Sequence, residues 1–329
     1  MGKKKPEDAI FKKSKDPKGL LEVKGFDLSR RFDLGEFLSS LSTTGFQATN
    51  LARAIDIVKE MRKQKAVIFL GYTSNMVSSG VRDIIAFLVK NKMVDVLVTT
   101  AGGVEEDIIK TLKPFLIGEF RCDDAALREQ GINRIGNIFV PNDRYIEYEK
   151  LMQPFFLKMY EKTASKNHTI GVSEFIHELG LAVKDEKSIC HWASKNCIPT
   201  FCPPLTDGST GDMLYFFKKK RPDFKIDISD DIVKINDIAL HAEKTGVIIL
   251  GGGLAKHHVI NANLFREGAD YAVYLSTGTE SDGSISGAHP DEGKSWGKVK
   301  AKAMSVQVDG DATITFPLLV LGGFAQKEG

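Results

Sequence analysis

From residue 66 onward one arrangement keeps returning: a short unbroken apolar run, a loop of Gly, Ser and Thr, then a stretch with helical apolar spacing. Residues 66–70 read as a buried strand, followed by GYTSNMVSSG and a helix over residues 81–90. Residues 94–98 form a second run, followed by TTAGG and a helix beginning near Val104. Residues 247–250 form a third, followed by a triple glycine and a helix over residues 254–265. Residues 271–275 form a fourth, followed by a long Gly/Ser loop to Gly287. A strand that is apolar at every position has no face for water, and intervening helices cover both sides of its sheet. The pattern predicts an α/β fold: a doubly wound, mostly parallel, Rossmann-like sheet with helices on both faces. Residues 144–196 read as largely helical, with Leu151, Phe155, Phe156 and Met159 on a core-facing stripe.

A chain of 329 residues can bury about three-quarters of the surface it exposes unfolded. No repeat or low-complexity linker divides residues 20–329, so one catalytic α/β domain is expected there. Residues 1–19 differ. Seven lysines, three acids, two prolines and little apolar content predict a mobile lysine-rich arm. A net charge of +2 offers no electrostatic footprint for nucleic acid. No apolar stretch approaches the ~20 residues that span a bilayer, and the arm lacks the apolar run of a secretory signal. Pro6 stands where myristoylation of Gly2 wants Ser or Thr. The expectation is a cytoplasmic protein with no membrane partner. Cys122, Cys190, Cys197 and Cys202 include no C-x-x-C pair and read as reduced thiols. Cys197 and Cys202, flanking an apolar run that contains proline, are expected in the core.

Ligands of open α/β sheets bind where loops leave the carboxyl ends of the strands. This chain concentrates small polar residues there: Thr73–Ser74–Asn75, Ser78–Ser79, Thr99 to Gly103 and Gly251 to Gly253. Glycine lets backbone approach a phosphate, and the helix N-terminus that follows favours an anion. None is a G-x-G-x-x-G or a P-loop, and each alone is compatible with an ordinary turn. Four together point to a dinucleotide or phosphorylated cofactor. Glu105, Glu106 and Asp107 follow TTAGGV, either as site acids or as complements to their own helix dipole. Asp207 and Asp212 sit in TDGSTGDM, which also reads as a turn with an N-cap. His257 and His258 are adjacent, so on a helix they point about 100° apart and cannot grip one metal together. No metal site is expected.

The stretch TGTESDGSISGAHPDEGKSWGK, residues 277–298, joins a Gly/Ser loop to Glu280, Asp282, Asp291 and Glu292, then Trp296 and Lys298. Carboxylates beside an indole suit a cationic amine, the ring face adding a cation–π contact. A lysine shielded from water can become a neutral nucleophile toward an imine carbon. A solvated surface charge is the competing reading of Lys298.

SWGK at 295–298 resembles the active-site lysine motif of deoxyhypusine synthase. The resemblance continues through TTGFQATNLARA, GYTSNMVSSG, TTAGGVEED, CPPLTDGSTGD, ILGGGLAKHH and DGSISGAHPDE, in order from about residue 19 to residue 326. It implies a homotetramer with active sites between paired subunits, NAD and spermidine as ligands, and a lysine of the translation initiation factor 5A precursor as acceptor. By motif position it implies NAD contacts from Ser74, Asn75, Met76, Val77, Ser78, Thr100, Ala101, Gly102, Glu106, Asp207, Gly252, Thr277, Gly278, Asp311 and Ala312. It implies spermidine contacts from Glu105, Glu106, Asp212, His257, Asp282, Gly283, Ser284, Ile285, Glu292 and Trp296. Lys298 is then the covalent residue, and His257 the residue for proton transfer or amine orientation. The arm would cover the active-site entrance.

Two positions depart from the family's eukaryotic pattern. Ile285 stands where many of those members have an Asp that helps bind a polyamine nitrogen, a loss of about 1–3 kcal/mol if nothing replaces it. His289 stands where an Arg is common. Two other functions share these motifs. A homospermidine synthase passes the aminobutyl group to putrescine, and a non-catalytic subunit binds NAD and activates a paralogue.

Overall fold

The computed structural model describes residues 6–11, 14–166 and 168–325. Of the lysine-rich arm, residues 1–5, 12 and 13 lie outside the described residues; Glu7–Ile10 forms a single helical turn. The expected strands and helices alternate as read, with shifted ends, two added strands in the central sheet, and two small sheets outside it, one of Leu116–Ile117, Ile132–Ile135 and Ile138–Pro141 and one of Ile170–Gly171 and Ile226–Asp227.

Six parallel strands form the central sheet: β1 (Val67–Tyr72), β2 (Val96–Val98), β3 (Thr200–Phe201), β4 (Thr245–Leu250), β5 (Ala269–Ser276) and β6 (Val299–Asp309). Their spatial order is β6-β5-β4-β1-β2-β3. The chain therefore runs outward from β1 on one side, returns, and runs outward from β4 on the other, as a doubly wound sheet does. Neither β3, two residues long, nor β6 was apparent in the sequence. Beside β5, Ala269 pairs with Val299 but Tyr271 with Met304, so the start of β6 bulges away from its neighbour.

The principal helices are α1 (Leu34–Thr44), α2 (Phe46–Lys63), α3 (Ser74–Ser78), α4 (Val81–Lys90), α5 (Ala101–Leu112), α6 (Asp143–Lys166), α7 (Val172–Ala182), α8 (Ile189–Lys195), α9 (Ser209–Lys220), α10 (Asp230–His241), α11 (Gly253–Ala262), α12 (Pro290–Ser295) and α13 (Ala312–Gly323). Alternation along the strands divides the core in two. Ile68, Leu70, Ile248, Leu250, Val273 and Leu275 face α2, α4 and α13. Phe69, Val247, Ile249, Ala272 and Tyr274 face α10 and α11. A third apolar cluster joins α5, α6, α7 and α9, with Phe155, Phe156 and Met159 buried in it as expected and Leu151 packed at its margin. Cys190 and Cys202 are buried. Cys197 is not: it is exposed, in a left-handed backbone conformation (φ 56°) in the turn after α8, which corrects its expected place in the core. Among the described residues no helix is long and apolar enough to cross a membrane, and no group of three or more His, Cys, Asp or Glu is placed to hold a metal.

Candidate active site

The cofactor candidates gather along the carboxyl edge of the sheet. Residues 74–78 follow β1 and form α3, a short helix where an open loop was expected. Thr100 follows β2 and precedes α5, whose first turn holds Ala101 and Gly102. Gly252 follows β4, Thr277 and Gly278 follow β5, and Asp311 with Ala312 follows β6. Asp207 is exposed in the turn between β3 and α9. Hydrogen bonds tie these ends together: Ser74 N–H donates to Thr100 Oγ1 (3.1 Å), Gly251 N–H to the Leu275 carbonyl (2.8 Å) and Gly310 N–H to the Ser276 carbonyl (3.0 Å). Two glycines are needed here for space. A Cβ on Gly102 would lie 2.6 Å from Ser74 Cβ, and one on Gly252 would lie 2.5 Å from Ser286 Cα.

The three consecutive acids lie one turn inside α5, past the reach of its own N-terminal dipole, and each serves a different neighbour. Glu105 accepts the N–H groups of Ser209 (3.1 Å) and Thr210 (2.8 Å) at the start of α9. Glu106 accepts the Ser78 hydroxyl. Asp107 accepts Ile189 N–H (3.0 Å), Cys190 N–H (2.9 Å) and Ser188 Oγ (2.7 Å) at the start of α8, and pairs with buried Arg82 at 2.7 Å. Burial drives Glu106 up to about 7, with the Glu105 charge adding to it and the Ser78 hydroxyl opposing. Burial likewise raises Glu105, against three hydrogen bonds from Thr210 and Ser209. Asp212 is exposed on α9 and faces an open groove with Ser209 and Tyr145. Sequence reasoning missed Tyr145, whose phenol is pushed up to about 12 by burial and by the charges of Glu106 and Glu105.

Lys298 occupies a separate place. Its carbonyl accepts Ala269 N–H (3.1 Å), so its backbone sits at the amino edge of β5 and β6. The segment between β5 and β6 crosses the α11 face of the sheet and encloses a cavity of about 260 Å³. His257, Gly283, Ile285, Glu292, Trp296 and Lys298 line it. Lys298 is 8% exposed, its Nζ 3.1 Å from His257 Nε2 and 5.4 Å from the centre of the Trp296 ring. Burial, then the neighbouring Lys298 charge, lowers the His257 pKa, which leaves the imidazole neutral at neutral pH and able to accept a proton. Asp282 and Ser284 stand exposed on the same segment, the Asp282 carboxylate accepting Ser284 N–H (2.8 Å). Two groups in this cavity were not anticipated. Lys256 is fully buried, donates to the Ala288 carbonyl (2.5 Å) and lies 4.5 Å from the Tyr274 ring centre. Tyr274 is 1% exposed with its hydroxyl unpartnered. The adjacency of Lys256 to His257 was the available signal.

One chain does not bring the candidate amine ligands together. Glu105, Glu106 and Asp212 belong to the β2–β3 side, and the cavity of Lys298 is not lined by them. Four inter-strand steps separate β2 from β6, about 19 Å at the usual strand spacing. Trp296 is 66% exposed, so the cavity wall it forms stands open.

The family model described as deoxyhypusine synthase matches residues 36–322. The chain is 55% identical to the probable deoxyhypusine synthase of Pyrococcus abyssi, with 96% of this chain and 98% of that one covered. It is 48% identical to the deoxyhypusine synthase of Senecio vernalis, covering 97% and 93%. The solved structure of a candidate deoxyhypusine synthase from Entamoeba histolytica superposes with a TM-score of 0.69 at 31% identity, covering 92% of this chain and 97% of that one. With a matched model over most of its length and relatives this similar, the chain belongs to the deoxyhypusine synthase family.

Proposed function

We propose that this chain transfers the 4-aminobutyl group of spermidine to a lysine of the translation initiation factor 5A precursor, with NAD as cofactor, through an imine on Lys298. The observation that carries the reading is a buried lysine 3.1 Å from a neutral imidazole, beside an indole and Glu292, in a chain of this family.

The carboxyl edge fits a dinucleotide. α5 and α11 begin on either side of β1, and neither Thr100 nor Gly252 caps its helix with a side chain. First-turn N–H groups there are suited to a pyrophosphate. In this reading Asp207, Asp311 and Glu106, along the same edge, accept ribose hydroxyls. When bound, NAD supplies a hydride acceptor that later returns the hydride, so the net reaction consumes none.

The chain's residues do the rest. Trp296 and the carboxylates Glu292, Asp282, Glu105 and Asp212 hold the ammonium groups of the polyamine. His257 takes the proton from Lys298 Nζ, and the freed amine adds to the imine carbon of oxidised spermidine. 1,3-Diaminopropane leaves as the C–N bond breaks, and the four-carbon amine stays as an imine on Nζ. The acceptor lysine then displaces Lys298 from that carbon. Because the acids belong to the β2–β3 side of one chain and line no part of its Lys298 cavity, we place the complete site between two copies, within a homotetramer. Each copy acts as one α/β catalytic unit over residues 20–329.

Incubation with NAD, spermidine and either the factor 5A precursor or putrescine tests the acceptor. The reading requires an aminobutyl gain on a factor lysine by mass spectrometry. Homospermidine with an unlabelled factor would overturn it.

A further inference from the structure

A single lysine ties α3 to α5 at the carboxyl edge. Lys110, on the third turn of α5, donates from Nζ to the carbonyl oxygens of Val77 (2.8 Å), Ser78 (2.8 Å) and Ser79 (2.9 Å). These carbonyls close the C-terminal end of α3, which at five residues is too short to persist on its own backbone bonds. Burial and the nearby Arg82 charge lower the lysine's pKa to about 8, so at neutral pH it remains an ammonium with one N–H for each carbonyl. The same stripe of α5 carries Glu106, bonded to the Ser78 hydroxyl, and Gly102, set against Ser74. Residues 102, 106 and 110, four apart, thus all face α3.

We propose that Lys110 is a positioning residue for the dinucleotide site: it clamps α3, and with it the backbone of residues 73–78, against α5. The inference rests on the reading of residues 74–78 as NAD contacts. The cavity beside Lys298 lies on other elements, and Glu105, the amine ligand carried by α5, bonds to Ser209 and Thr210 on α9 and not to α3, so the clamp acts chiefly on the dinucleotide.

The variants K110M, K110Q and K110R of the full-length protein separate this from a general role in folding. Expected are NAD binding about tenfold weaker in K110M, an intermediate loss in K110Q and near-wild-type binding in K110R, which keeps the charge. KM for NAD rises in that order while KM for spermidine stays within about twofold, and amide exchange accelerates in residues 73–80 of the folded variants. If K110M does not fold, K110Q against K110R carries the comparison. Wild-type protein that fails to bind NAD would remove the dinucleotide reading itself. Wild type that binds, with K110M or K110Q unchanged in NAD affinity and exchange, would overturn the clamp alone.

Discussion

Glu106 lies against the cofactor edge with its carboxyl kept protonated far above the usual carboxylate range, and replacing it by glutamine isolates the cost of ionising it. In the folded chain the group titrates at about 7, against an ordinary 4.5, chiefly because it is buried. The folded state therefore binds the extra proton, and stability falls as pH rises through this window. Each pH unit is worth about 1.4 kcal/mol, so ionising Glu106 costs the fold at most about 3 kcal/mol by pH 8. Glutamine keeps the shape and an oxygen for the Ser78 hydroxyl but never ionises. Urea unfolding of the ligand-free protein at one protein concentration, from pH 5 to pH 8, reads the difference between the two chains. The E106Q chain should be nearly as stable as wild type at pH 5 and more stable by about 2–3 kcal/mol at pH 8. A constant difference across the range, or a less stable variant at pH 8, would refute the reasoning.

Asp107→Ala should lower stability by about 3–5 kcal/mol, because it leaves buried Arg82 without its partner and uncaps α8; a chemical-denaturation midpoint close to wild type would contradict this. Lys298→Arg should abolish aminobutyl transfer while NAD affinity stays within about twofold, measured by calorimetry, since arginine does not form the imine. Co-expressing Lys298→Ala with Glu105→Gln should restore activity that neither parent has, because some sites then receive both intact residues; a mixture as inactive as its parents would place the whole site in one chain.

The fold was legible where burial was complete. β1, β4 and β5 are covered on both faces, so their apolar runs announce them. β6 begins VKAKAM at the sheet margin, with its early residues half-exposed, and its lysines break the signal. α3 was hidden because its stability comes from Thr100, Glu106 and Lys110, all distant in sequence. The candidate site was legible chiefly through motif resemblance. Local sequence left residues 105–107 open between site acids and complements to their own helix dipole, because the partners they find, the starts of α8 and α9 and the Ser78 hydroxyl, are distant in sequence. Tyr274 reads as an ordinary strand residue and Lys256 as a helix residue marked only by its adjacency to His257; their burial around Lys298 sets both apart.

Borohydride reduction of the protein incubated with spermidine and NAD tests the central claim most directly. Peptide mass spectrometry should find a reduced aminobutyl adduct on Lys298, absent when NAD is withheld and absent from the Lys298→Arg chain. Active enzyme that yields no adduct there, or carries it on another lysine, would contradict the account.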